Sequence, residues 1–347
     1  MKAVLFEGHG GTDVVEYGEV PDPEIDRDEV LVDVKAGALN HLDLWTRNGL
    51  PGLDLEMPHV PGSDGAGVVE AVGEDVSRFE PGDHVALTAG VSCGDCEFCR
   101  AGEESMCKNF HIIGEHVPGV HRERAAVPED NLVPVPDHVD WETAAAAPLV
   151  FQTAWRMLLT RGDLSPGETV LVLGASGGVG HAAVQIADYA GADVIATASS
   201  EEKLAYAEEL GADVAVDYES ENFADAVRDV TDKRGVDVVV DHIGEATWRD
   251  SLRSLAKGGR LVTCGATTGP NPETDVRRIF WNQLSVIGST MATPGEVDDV
   301  LSLVWDGTFD VRVRDVFPMS ETARAHEMIE NREGFGKVVV VPDSEWE

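Results

Sequence analysis

Residues 169–191 read "TVLVLGASGGVGHAAVQIADYAG". An apolar run, Val170–Leu173, meets a glycine-rich turn, and a helix-like pattern of small and apolar residues follows. A strand with no polar alternation is buried on both faces, which is the habit of a parallel sheet covered by helices on each side. The turn holds Ala175, Ser176, Gly177, Gly178, Val179 and Gly180. Small residues there let the backbone approach a pyrophosphate, and the N terminus of the following helix supplies N–H groups to hold it. The alternation continues outward, with "DVIATA" (193–198) before "EEKLAYAEELG" (201–211). The stretches "VDVVVDHIG", "GGRLVTCG" and "LSVIGST" complete the run near Met291. Residues 151–291 are therefore expected to form a doubly wound α/β domain that binds a dinucleotide.

The second strand of this series ends Thr197-Ala198-Ser199-Ser200, without the acid that would grip an adenosine ribose 2′-hydroxyl. Two hydroxyls and Lys203 instead offer donors and a positive charge to a 2′-phosphate. NADP(H) is favoured over NAD(H) on this ground; Glu201 and Glu202, which follow directly, are the alternative candidates for a ribose partner.

Residues 1–135 have a different texture. Short apolar runs such as "EVLVDVKAG", "GAGVVEAVG" and "GDHVALTAG" alternate with Gly, Pro and Asp, as in a small β-barrel. Asp140 reads as the N-cap of an Ala-rich helix that leads into the nucleotide domain. The chain beyond Glu296 offers two helical patterns and a last strand, "GKVVVVP".

Four of the five cysteines stand in "VSCGDCEFCRAGEESMC" (91–107). Cys93, Cys96, Cys99 and Cys107 have the two-residue gaps and longer arm that close a tetrahedron of thiolates around zinc. Four thiolates leave no open position, so this zinc is expected to be structural. The fifth, Cys264, lies in an apolar strand and reads as a small buried hydrophobe.

The chain carries 64 acidic against 26 basic residues, a net charge of −38, with the acids spread along its length. Such a surface repels phosphate backbones and anionic membranes, which argues against both as partners. It suits concentrated salt, where screening removes the self-repulsion, so a halophilic host is expected. The opening "MKAVLFEGHGGTDVVEYGEV" contains no apolar stretch of signal-peptide length, and the longest apolar run, "AAAAPLVF", is far short of a membrane span. A cytoplasmic protein acting on a small molecule is the expectation.

These residues resemble the medium-chain dehydrogenase/reductase family over essentially the whole chain. The resemblance rests on the order of "PGSDGAGVVEAVG", the four-Cys lobe, "TAW", "GASGGVG" and the terminal "GKVVV". It implies a GroES-like catalytic domain over 1–150, with the zinc lobe at 91–108 and completed by 292–347, joined to a Rossmann domain over 151–291. It also implies binding in the cleft between the domains and assembly as a homodimer or homotetramer. Zinc alcohol dehydrogenases of the family hold a catalytic metal at positions that here read Asn40, Ser63-Asp64 and Leu149. Asn40 is a poor ligand, and Ser63 and Leu149 are not ordinary ones.

The "ALNHLD" loop instead resembles quinone oxidoreductases and enone reductases, which use no catalytic metal. That likeness implies NADPH, with Ser199, Lys203, Tyr218 and Arg332 around its 2′-phosphate. His41, which flanks this loop, is expected to touch the cofactor pyrophosphate. A tyrosine that those enzymes often place in the cleft is missing, because the matching stretch reads Leu50-Pro51-Gly52. Asn40, Asp64 and Thr153 are the candidate catalytic residues. The expected activity is reduction of an activated C=C bond or a quinone. The alternatives are a zinc alcohol dehydrogenase with substituted ligands, its metal rebuilt from His41, Asp43 and Asp64, and a nucleotide-binding protein without turnover.

Overall fold

The computed structural model of the chain describes residues 1–346. It contains two compact units, one from Val150 to Ala292 and one built from Met1–Leu149 together with the chain from Thr293 onward.

The unit from Val150 is a six-stranded parallel sheet. Across the sheet the order is Val214–Asp217, Asp193–Ala198, Thr169–Val172, Val236–Val240, Leu255–Thr263 and Ser285–Gly288. The order reverses direction between Thr169–Val172 and Val236–Val240, which is where doubly wound sheets bind ligands at the strand ends. Leu171, Ile195, Val239 and Leu261 pack with Phe223, Val227 and Leu252 from the covering helices, all of them buried. Cys264 follows the end of its strand and is half-buried rather than buried.

The other unit is built on the long strand Glu29–Ala38, which Gly65–Val72 and Arg124–Pro128 flank in antiparallel pairing. The C-terminal strand Lys337–Val341 also joins Glu29–Ala38, pairing Val339 with Ala38 and Val340 with Gly37. Two chain segments distant in sequence therefore converge on the end of Glu29–Ala38, just before Asn40.

The Ala-rich segment after Asp140 is not one helix. Asp140 accepts the Thr143 N–H at 2.7 Å and starts Trp141–Ala146. A second helix, Pro148–Trp155, begins at a residue that has no N–H to give, and a π-helical turn, Arg156–Arg161, follows it. Among the described residues, no helix is long and apolar enough to cross a membrane.

Candidate active site

The glycine turn after Thr169–Val172 is shaped by close approach. Gly174 adopts φ +58°, and a Cβ on Gly180 would stand 2.1 Å from the Gly174 carbonyl oxygen. Only a hydrogen fits there, so the helix Gly178–Tyr189 packs tightly onto the strand end. Its N-cap is Gly177, and no side chain caps the helix. The first N–H groups of this helix have no partner within it, which makes the turn a seat for an anion. Ala175 through Gly180 thus form one cradle that fits a dinucleotide pyrophosphate.

Ser199 and Lys203 lie one strand away. Lys203 Nζ donates to Ser199 Oγ at 3.5 Å, and the Ser200 hydroxyl caps the helix Glu201–Glu209. The Tyr218 N–H donates to the Ala198 carbonyl at 3.2 Å, which sets Tyr218 beside that strand end. Thr153 is buried in the helix Pro148–Trp155 of the same unit. His41 and Arg332 belong to the other unit. His41 is exposed at the start of the helix His41–Asn48, and Arg332 follows the helix Thr322–Glu330.

Asn40 and Asp64 meet directly, the Asn40 Nδ2 donating to Asp64 Oδ2 at 2.8 Å. The third member of the group is Lys337, which sequence reasoning missed. Its Nζ lies 2.6 Å from Asn40 Oδ1 and 3.1 Å from Asp64 Oδ2. All three side chains are buried, Asp64 completely. The other Asp64 oxygen accepts the Leu149 N–H at 3.0 Å. Burial raises the Asp64 carboxyl above its ordinary value, against the pull of the Lys337 ammonium. One signal for Lys337 was present in the sequence: a charged residue opens an otherwise apolar terminal strand in a chain with only seven lysines.

Asp43 serves the loop. Its carboxylate accepts the Asn40 N–H at 2.7 Å and the Gly62 N–H at 3.1 Å. Burial pushes its pKa up to about 6 in spite of these bonds. Ser63 Oγ is buried without a hydrogen-bond partner. The structure therefore does not assemble the metal site considered from His41, Asp43 and Asp64. Both carboxylates are occupied by N–H groups or an ammonium, and among the described residues the only group of metal-ligand side chains within reach of one ion is the cysteine cluster.

That cluster fits zinc. The Sγ atoms of Cys93, Cys96, Cys99 and Cys107 lie within 4.8 Å of one another. Sulfurs on a tetrahedral zinc with bonds of about 2.3 Å stand about 3.8 Å apart, so little adjustment closes the site. Backbone N–H groups of Cys93 and Asn109 point at Cys107 Sγ, each at 3.3 Å. The N–H groups of Cys99 and Lys108 hold the Cys96 thiol down to about 6, which favours the thiolate that a metal needs. A short antiparallel pair, Gly90–Val91 with His111–Ile112, closes the base of the lobe.

A β-rich unit holding a cysteine lobe, joined in one chain to a doubly wound nucleotide-binding unit, defines a two-domain dehydrogenase. Residues 26–137 match the alcohol dehydrogenase GroES-like domain, and residues 178–306 match the zinc-binding dehydrogenase domain. The crotonyl-CoA carboxylase/reductase of Cereibacter sphaeroides is 34% identical over 98% of this chain and 86% of its own length. The acryloyl-coenzyme A reductase of Sulfurisphaera tokodaii is 33% identical over 99% of this chain and all (100%) of its own. A crystal structure of an NAD-dependent alcohol dehydrogenase superposes with a TM-score of 0.95 at 44% identity, covering 98% of this chain and 99% of that one. The chain belongs to the medium-chain dehydrogenase/reductase family, and it is an NAD(P)H-dependent oxidoreductase.

Proposed function

We propose that this enzyme reduces a C=C bond conjugated to a carbonyl, or a quinone, with NADPH and without a catalytic metal. The observation that carries this reading is the closed network of Asn40, Asp64 and Lys337. It stands where the zinc enzymes of the family place metal ligands, yet Leu149 offers only hydrocarbon there. Both Asp64 oxygens and both ends of the Asn40 amide are already engaged by the protein. The relatives named as reductases of crotonyl-CoA and acryloyl-CoA support an α,β-unsaturated thioester or ketone as the substrate class.

When bound, the dihydronicotinamide supplies a hydride to the electron-poor carbon of the substrate. The chain's own residues bind and orient. The Ala175–Gly180 cradle holds the pyrophosphate, with His41 assisting. Ser199, Lys203, Tyr218 and Arg332 receive the 2′-phosphate. Asn40 and Thr153 orient the reacting groups, and hydrogen bonds carry the charge that develops on the carbonyl oxygen. A proton from water completes the reduction, at the carbon next to the carbonyl for a conjugated C=C bond and at oxygen for a quinone. Asp64 orders the loop.

One zinc on Cys93, Cys96, Cys99 and Cys107 is structural. The assembly is a homodimer or homotetramer, which the exposed Phe280, Trp281 and Val286 around the edge strand Ser285–Gly288 support.

A second reading, an NAD-dependent alcohol dehydrogenase, is favoured by the 44% identical structure. Cofactor oxidation with crotonyl thioester, cyclohexenone and a benzoquinone, set against alcohol oxidation with and without chelator, separates the two. Turnover of the first group that chelator does not touch supports the proposal. Chelator-sensitive alcohol oxidation alone overturns it.

A further inference from the structure

The Asn40 carboxamide has two chemically different ends, and its neighbours decide which way it faces. A lysine ammonium has only donors, and an ionised aspartate has only acceptors. Lys337 Nζ at 2.6 Å therefore claims the carbonyl oxygen of Asn40, and Asp64 Oδ2 at 2.8 Å claims one of its N–H bonds. The second N–H has only a long contact, 3.5 Å, to the Ala38 carbonyl. That N–H is the part of the amide left to serve a ligand, and what it can serve is an acceptor such as a carbonyl oxygen.

The fold explains how Lys337 comes to do this. The strand Lys337–Val341 pairs with the end of Glu29–Ala38, and the Leu39 N–H donates to the Val338 carbonyl at 2.9 Å. Asp64 arrives from the other side, its carbonyl accepting the Ala38 N–H at 3.0 Å. The lock is thus built from three segments of one sheet.

We infer that Lys337 is a positioning residue: by holding the carbonyl end of Asn40, it makes that side chain a hydrogen-bond donor toward the carbonyl oxygen of the substrate. The inference rests on the reading above for its substrate, but not for the lock itself. Without Lys337 only the Asp64 contact still orients the amide. A turn that presents its oxygen in place of the second N–H, where it would repel a substrate carbonyl, is then opposed by one hydrogen bond instead of two. Asp64 would be left buried with no cation.

The test compares Lys337→Met, Lys337→Arg and the double variant Lys337→Met with Asp64→Asn. Cyclohexenone reduction by NADPH, melting temperature and the Asn40 side-chain amide signals in 15N–1H spectra are measured, the signals being assigned by their loss in Asn40→Asp. Lys337→Met is expected to lower kcat by about tenfold to hundredfold, because a donor aimed at developing charge is lost. It should also lower the melting temperature by about 5 °C or more, because half of a buried ion pair remains. The double variant removes the orphaned carboxylate, so stability should return while kcat stays low. Lys337→Arg should recover at least about tenfold in kcat over the methionine, since it restores a donor.

The Asn40 amide protons should exchange slowly in the wild type and in Lys337→Arg, and quickly in Lys337→Met. Recovery of kcat together with stability in the double variant would show a merely structural lysine and overturn the inference. So would unchanged amide exchange in Lys337→Met. Absence of any cyclohexenone reduction by the wild type would count against the proposed substrate class, and the amide signals would still decide the lock.

Discussion

A Cβ on Gly180 would lie 2.1 Å from the carbonyl oxygen of Gly174, closer than any real Cβ approaches an oxygen, and the obstacle is backbone rather than a movable side chain. Gly180→Ala must therefore push the helix Gly178–Tyr189 away from its strand. The expected cost is about 1–3 kcal/mol of stability in the nucleotide unit, the usual range for overpacking. Dinucleotide binding should fall by more than tenfold. Fluorescence titration with NADPH and a melting curve check both. Wild-type affinity in the variant would show that the turn does not hold the pyrophosphate.

Lys203 decides cofactor preference in the proposed reading. Lys203→Ala should weaken NADPH binding by about tenfold or more while leaving NADH binding nearly unchanged, because only the 2′-phosphate loses a charged partner. Parallel dissociation constants for the two cofactors provide the measurement. Equal losses for both, or tighter binding of NADH by the wild type, would contradict an NADPH enzyme.

The parts legible in the sequence are those whose chemistry is local. The run Val170–Leu173, its glycine turn and the repeating strand–helix pattern fix a doubly wound sheet, because burial on both faces and the close approach at Gly180 are matters of adjacent residues. The cysteine lobe is likewise a matter of spacing within 91–107. Lys337 was not legible in this way. It reaches Asn40 from 297 positions away, through a strand pairing that no local pattern announces. The break at Pro148 was visible in principle, since a proline cannot donate to the preceding turn. The π-helical turn after Trp155 had no such signal.

His326 sets an acid limit to stability. It is buried, and its Nδ1 lies 3.0 Å from the Arg47 guanidinium, an arrangement that requires a neutral ring accepting from the arginine. Burial, with Arg47 and then His121 adding repulsion, pushes its pKa down to about 3. A histidine in the unfolded chain titrates near 6.5, so between these values the unfolded state binds the extra proton. The stability that His326 protects is complete above pH 6.5, roughly, and drains as the pH falls toward 3. The slope reaches at most about 1.4 kcal/mol per pH unit for this one group. His326→Gln keeps an acceptor for Arg47 and removes the titration. Denaturant unfolding at a series of pH values should show a shallower acid loss in the variant, and identical slopes would refute the assignment.

The acidic side chains lie largely in water, Asp137 at 99% exposure and Asp130 at 92% among them. At a net charge of −38 their mutual repulsion opposes the compact state, and salt screens it over a Debye length of about 10 Å at 0.1 M and about 3 Å at 1 M. Melting temperature and turnover should rise together from dilute buffer toward molar KCl. A melting temperature that does not change with salt would leave the composition without the halophilic meaning proposed for it.

The cysteine lobe supplies the last prediction. Its four sulfurs are gathered within 4.8 Å, and the lobe has little else to order it, since its helical content is two 3-10 turns, Cys99–Ala101 and Glu104–Met106. Metal binding in such a loop is folding free energy, because the unfolded chain has no preformed site. Purified enzyme is therefore expected to carry one zinc per chain, held through brief treatment with a mild chelator. Cys99→Ser removes a buried ligand. It should release the zinc and lower the melting temperature, while the molecules that remain folded keep their turnover per active site. A catalytic zinc would behave in the opposite way, lost with the activity and with little change in melting. Elemental analysis, melting curves and active-site titration on the same samples distinguish these outcomes. Two zincs per chain, one of them removed together with all hydride transfer, would overturn the metal-free chemistry assigned to Asn40, Asp64 and Lys337. Release of the zinc of the cysteine lobe with no change in melting temperature would overturn its structural role.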